Sequence, residues 1–266
     1  MTTPIVIDRQ PLAQARALAR RSILSTFRQP SVFLPGLLFP MLIAAVNSSA
    51  LAKAIHFFPA PQPKSFLDFV MAATIVQGVL FGGITAGSDL ALDIENGFFE
   101  RLLASPVSRS AILLGRFAGA AVMGAVQVAV FVTIFTIFGA RVQGGAAGVL
   151  VLLVTAVVLS VGIAGLAAAI GLRTGSAEAV QNSFPLVFIL IFISSAFFPT
   201  ELMHGWYRAA ATHNPISWMI DGLRHQVIVG FDLGEAVKAV GVAAAIVGLA
   251  MVVAIRQLQR RLSVSG

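Results

Sequence analysis

Six stretches of roughly 20 or more mostly apolar residues are strung along this chain, and they limit its possible folds more than any other feature. They run over about 31–51, 67–88, 112–138, 147–171, 180–198 and 236–255. A helix needs about 20 such residues to cross a hydrocarbon core of about 30 Å. The chain is 58% hydrophobic and only 11% charged, with a mean hydropathy of +0.91, against about 25% charged residues in soluble domains. A water-soluble fold of this composition would leave large apolar patches exposed. The sequence therefore predicts an all-α integral membrane protein with six transmembrane helices in one domain over residues 1–266. Pro35 and Pro40 lie inside the first run, where membrane helices tolerate proline. That run ends in Ala50-Leu51-Ala52, which looks like a signal-peptidase site. Its length, and the roughly 30 residues before it, exceed a signal peptide whose apolar region is about 7–15 residues. It is read as a retained span.

Basic residues set the expected orientation. With both termini on one side, Lys53, Lys64, Arg141, Arg208, Arg224 and Lys238 fall on the other, and the remaining twelve of the 18 Lys and Arg fall with the termini. The excess predicts cytoplasmic termini and a cytoplasmic 89–110 loop. The net charge of +7 is scattered between apolar runs, so it forms no basic patch of the kind nucleic acid requires. The chain has no Cys, which excludes disulfides and thiolate metal sites.

Two segments are amphipathic without being spans. In 8–29, Leu12, Ala15, Ala19, Ile23 and Phe27 recur every three or four residues, while Arg16, Arg20 and Arg21 occupy the rest. This predicts a helix lying in the membrane interface. In 199–235, Asn214 is placed to cap a helix whose first residue is Pro215. Ile216, Met219, Ile220, Leu223 and Val227 form its apolar stripe, and Asp221 is spaced to pair with Arg224 or His225 on its polar side. The expected form is a short helix or helix pair dipping into the outer leaflet, with Trp206 and Trp218 near the headgroups. Small residues at helical spacing (Gly115, Gly119, Gly124; Gly162, Gly165) predict close helix packing within the subunit.

The loop between the second and third runs is the most distinctive polar stretch. Phe98 and Leu102, and Phe99 and Leu103, are four apart and so lie along one side of a helix. Gly97 precedes this patch and Pro106 follows it, which suits a helix of about two turns over 93–105. Chemistry is harder to find. The chain contains no G-x-x-x-x-G-K-[ST] phosphate loop, no H-E-x-x-H and no G-x-S-x-G. His204, His213 and His225 have spacings that match no usual metal site. Asp89, at the inner end of the second run, is the one candidate for a proton relay. The neutral polar residues within runs, Asn47, Thr74, Gln77, Gln127, Thr133, Gln181 and Asn182, suit either a substrate path or bridges between helices.

The stretch Glu95-Asn96-Gly97-Phe98-Phe99-Glu100-Arg101-Leu102-Leu103-Ala104-Ser105-Pro106-Val107-Ser108-Arg109, followed by Ile112-Leu113-Leu114-Gly115-Arg116, resembles the permease subunits of ATP-binding-cassette exporters of the type 2 export class. That class includes drug-resistance permeases of the daunorubicin type. Asn214-Pro215 leading to Asp221, Leu223, Arg224 and Gly230 is a second point of likeness, and the layout of the six runs agrees. The resemblance implies a permease that is not itself an enzyme and holds no cofactor, with ATP and Mg on two separate ATPase subunits. It also implies a second permease copy, as a homodimer or a sister-subunit heterodimer, in a bacterial inner membrane and in contact with its lipid. Carried over, Gly97 turns the chain into a coupling helix. Phe98, Phe99, Leu102 and Leu103 fill a groove on the ATPase or brace against the bundle. Glu95, Glu100 and Arg101 make rim ion pairs, Pro106 ends the helix, and Arg20 and Arg21 of the interface helix contribute to the same contact. The expected cargo is a hydrophobic or amphipathic, drug- or lipid-like molecule. The alternatives are polysaccharide or glycolipid export and a proton-coupled transporter using Asp89.

Overall fold

The computed structural model describes residues 11–28, 30–104 and 109–264, and every regular element among them is helical. The chain begins with α1 (Pro11–Arg28) and α2 (Pro30–Ala50), then passes through a short 3-10 helix (Ala52–Phe57) into α3 (Phe66–Glu95). Ser65 starts α3 through a capping box. Its hydroxyl accepts the Asp68 N–H at 3.3 Å, and its own N–H donates to Asp68 Oδ2 at 3.0 Å, so two of the helix's orphan donors are satisfied. Asp68 Oδ1 accepts the Arg141 N–H at 3.0 Å. This buried acid at the edge of a span is thereby committed to backbone donors.

Helix α3 forms the centre of the bundle. Of its apolar window 83% is buried, against 22% for Phe33–Ala50 and 22% for Leu233–Arg261, which puts α2 and the last helix at the periphery. It packs against α2, α4 (Phe98–Leu103), α5 (Arg109–Ile137) and α6 (Gly145–Thr174). Its 30 residues make about 45 Å, longer than a hydrocarbon core of about 30 Å. One or both ends must therefore reach the headgroups or beyond.

Among the described residues, five helices are long and apolar enough to cross a membrane. The sixth apolar run, 180–198, is built as a broken element. It consists of α7 (Ala177–Gln181) and α8 (Phe184–Phe192), separated by Asn182 and Ser183. Pro185 explains the break: it has no N–H to give residue 181, and its ring crowds that carbonyl. Beyond α8 lie α9 (Gly205–His213), α10 (Pro215–Ile228) and α11 (Leu233–Val264), the last packed along α6. Asn214 caps α10, as its position before Pro215 predicts, with Oδ1 accepting the Ile216 N–H at 2.9 Å. Its amide also donates to the Leu190 and Ile193 carbonyls at 2.7 and 2.9 Å, so one side chain closes the start of α10 and the end of α8.

The Asp221–Arg224 pair forms at 2.7 Å, but Arg224 does not lie on a polar surface as its spacing suggested. It is only 8% exposed, because α10 is covered by α3, α6 and α11.

Candidate functional site

The backbone after α3 turns sharply. Asn96 closes the helix with its N–H on the Leu92 and Ile94 carbonyls, and Gly97 follows at φ 66°, ψ 11°. A side chain in that left-handed conformation is strained unless it is absent. A Cβ on Gly97 would meet nothing within 4 Å, so the backbone angle alone demands the glycine. Helix α4 then starts at Phe98.

The two phenylalanines point in opposite directions. Phe99 is 1% exposed and is inserted among Leu90 and Ile94 of α3, Phe117 of α5, Leu172 of α6 and Leu258 of α11. Phe98 stays at the surface, half-buried beneath the Arg21 guanidinium, whose carbon is 3.9 Å from the ring centroid. Arg21 also reaches Asp93 at 3.6 Å. It is held there because α1 lies tight against α5: a Cβ on Gly115 would come within 2.5 Å of Leu18 Cβ, and one on Gly119 would overlap Ser22 Oγ. The small residues read as packing sites thus serve contacts inside the subunit, with Gly124 against α6 and Gly162 and Gly165 against α11.

The charged residues divide between home and surface. Glu95 Oε1 accepts the Ala177 N–H at 2.8 Å, at the start of α7. Glu100 pairs with Arg261 of α11 at 3.0 Å, and Arg261 also donates to the Leu172 carbonyl at 3.3 Å. Both acids therefore tie α4 and its approach to the rest of the bundle, although half of the Glu100 side chain stays exposed. Arg101 is exposed, with Nε 3.3 Å from the Gly97 carbonyl. Arg20 is exposed and has no ion-pair partner among the described residues. Leu102 packs against the Phe99 cluster. Pro106 and the side chain of Leu103 lie outside the described residues, as do residues 8–10 and 29 of the interface segment. Among the described side chains, α4 and α1 present outward the Phe98 ring, Leu24, four arginines (Arg16, Arg20, Arg21 and Arg101) and part of Glu100. Sequence reasoning missed Arg261 and gave Asp93 no role. Nothing in the sequence joins position 261 to position 100.

The polar residues within the runs do not gather at one open path. Thr74 donates to the Val70 carbonyl at 2.9 Å, and Gln127 Nε2 donates to the Gly78 carbonyl at 2.8 Å, bridging α5 to α3. Gln77 and Gln127 are sealed in the bundle, each with an unpartnered Oε1. Asn47 is half-buried on α2, Thr133 is exposed, and Gln181 and Asn182 are exposed at the break between α7 and α8. Asp89 is half-buried and has a partner. No group of three or more His, Asp or Glu among the described residues is placed to hold a metal ion.

Comparison with known proteins adds four findings. The family profile described as ABC-2 type transporter matches residues 13–228. A Porphyra purpurea protein named as a ycf38 transport permease is 25% identical over 226 residues, 84% of this chain and 77% of that one. A daunorubicin resistance ABC transporter permease protein, DrrB1 of Streptomyces coeruleorubidus, is 29% identical over 159 residues, 59% of this chain and 56% of its own length. A protein of Mycobacterium tuberculosis named as a doxorubicin resistance ABC transporter permease, DrrC, is 27% identical over 169 residues, 62% of this chain and 59% of its own. The matched stretch thus spans less than two thirds of either drug-resistance permease.

Proposed function

The chain belongs to the ABC-2 type transporter family, a family of multi-pass membrane transport subunits, and from that premise we propose that it is the permease of an ATP-driven exporter whose ATPase is a separate chain. The observation that carries this reading is the build of α4. One aromatic, Phe99, anchors the helix deep in the bundle, and the residue before it, Phe98, presents its ring to the outside beside a set of arginines. A partner pushing on that surface would move a helix whose other side contacts α3, α5, α6 and α11. In keeping with the likeness to permeases of the ATP-binding-cassette class, the partner in this reading is a pair of ATPase subunits, carrying ATP and Mg, each receiving one α4. Two permeases, identical or similar, complete the complex.

In this reading both termini and α4 face the cytoplasm, in keeping with the Lys and Arg excess on that side, and the membrane is a bacterial inner membrane. The cargo is a hydrophobic or amphipathic molecule. Relatives named for daunorubicin and doxorubicin resistance favour this over polysaccharide.

The test is reconstitution of the purified chain with and without its cognate ATPase. The expected result is ATP-dependent export by the pair, and hydrolysis that vanishes when the ATPase is omitted. Hydrolysis by the permease alone, or export driven by a proton gradient without ATP, would overturn the proposal.

A further inference from the structure

At the end of α3 away from α4 lies a cavity of about 260 Å³, partly open to the outside. The loop after α2 forms one wall, with Phe58 and three prolines. Phe69 of α3, Pro199, Glu201 and the polar edge of α10 form the rest. The rings of Phe58 and Phe69 lie 4.7 Å apart, so the walls are apolar and aromatic while two carboxylates, Glu201 and Asp221, lie at the lining.

Arg224 also lines the cavity, with three of its five N–H groups engaged by this chain. Nε donates to the Phe69 carbonyl at 3.2 Å, Nη1 to Asp221 Oδ1 at 2.7 Å and Nη2 to the Ser195 carbonyl at 2.6 Å. The guanidinium carbon sits 3.8 Å from the Phe69 ring centroid. Asp221 Oδ1 accepts the Ser195 hydroxyl as well, at 2.7 Å, which leaves Oδ2 without a protein donor among the described residues. Glu201 is exposed and has no ion-pair partner among them. Arg224 balances Asp221, and Lys238, whose charge also reaches Asp221, is paired with Glu235, so the Glu201 carboxylate is the charge left over beside an apolar wall. Small-molecule sites have this make-up: mostly apolar surface and a few convergent polar groups.

We propose that this cavity binds a small molecule carrying one protonated amine on an apolar ring. The ring would lie against Phe58, Phe69 and the prolines, and the ammonium against Asp221 Oδ2 and Glu201. An anion would meet two carboxylates, and a neutral molecule would leave the surplus charge uncompensated. A bare metal ion does not fit, since no three metal-ligating side chains converge among the described residues. Burial pushes the Asp221 carboxyl above its ordinary value, even with Arg224 and the Ser195 hydroxyl pulling it down. An arriving cation offsets that cost. The proposal concerns binding alone and does not rest on the export reading.

The experiment uses the purified full chain in nanodiscs and three probes with one ring system: 2-naphthylmethylamine, 2-naphthylmethanol and 2-naphthoate. Empty discs correct for partition into lipid. The amine is expected to bind saturably, about tenfold or more tighter than the alcohol or the carboxylate. Glu201→Gln is expected to weaken amine binding about threefold, and Asp221→Asn about tenfold. Glu178→Gln, which removes an exposed acid of α7 at the opposite end of α3, is expected to leave it unchanged. Asp221→Asn also removes the partner of Arg224 and can disturb folding, so Glu201→Gln, whose carboxylate has no ion-pair partner among the described residues, carries the test. Equal binding of amine and alcohol, no saturable amine binding, or full affinity in Glu201→Gln would each overturn the proposal.

Discussion

The two ends of α3 are finished in different ways. At one end α4 is attached by a single buried ring, Phe99, with ion pairs that stay partly in water, Arg21–Asp93 and Glu100–Arg261. At the other end α10 is fixed by a buried guanidinium that reaches three segments of the chain at once. Exposed ion pairs contribute little, with a median of about 0–1 kcal/mol, whereas removing one member of a buried pair costs about 3–5 kcal/mol. The first end is thus held by weaker electrostatic contacts than the second.

The sharpest way to break this contrast is at Arg224. Replacing it by Met leaves the partly exposed Asp221 carboxylate without its cation and the Phe69 and Ser195 carbonyls without their donor, and is expected to cost about 1–3 kcal/mol for each carbonyl left unpaired, seen as a large fall in the thermal unfolding midpoint in detergent. If Arg224→Met unfolds no earlier than the unaltered chain, the far end is not fixed by charge. Phe99→Ala empties a packed site and is expected to cost about 3 kcal/mol. Its distinctive outcome is functional: ATP hydrolysis by the assembled complex continues while export falls. Phe98→Ala, by contrast, should leave the unfolding midpoint unchanged and weaken assembly with the ATPase. Gly97→Ala forces a side chain into the left-handed region at a cost of about 1–2 kcal/mol. Gly97→Pro cannot adopt that angle at all, so export should drop further in Pro than in Ala. The smallest effect is expected at Glu100→Gln, under about 1 kcal/mol in stability, while Glu100→Lys sets like charge against Arg261 and should uncouple hydrolysis from export. Normal export in Gly97→Pro and Glu100→Lys together would remove α4 from the mechanism.

Much of this could be read along the chain, and the rest could not for identifiable reasons. Long apolar runs gave the spans, because helix length against membrane thickness is a local property. The cap at Asn214 and the turn at Gly97 were legible for the same reason: each depends on residues within four positions. The break between α7 and α8 was also local, written in Pro185, but apolar content masked it. What escaped was everything set by packing between distant segments. The spacing of Asp221 and Arg224 predicted their pairing, yet nothing nearby told that α3, α6 and α11 would bury it. The choice of Phe99 rather than Phe98 as the anchor depends on Leu172 and Leu258, far along the chain. Glu95 and Glu100 read as rim residues for another protein; that they also bond Ala177 and Arg261 of this chain depends on segments that only the fold brings close.

The central claim is that Phe98 faces a partner while Phe99 faces the bundle. The chain has no Cys, so Phe98→Cys and Phe99→Cys each give a single label site. The direct measurement is the rate of modification of each by a membrane-impermeant maleimide added from the cytoplasmic side, with and without the ATPase bound. The expected result is rapid labelling of Phe98→Cys that the ATPase blocks, and slow labelling of Phe99→Cys in both states. Rapid labelling of Phe99→Cys that the ATPase blocks, or labelling of Phe98→Cys that the ATPase leaves unchanged, would contradict it.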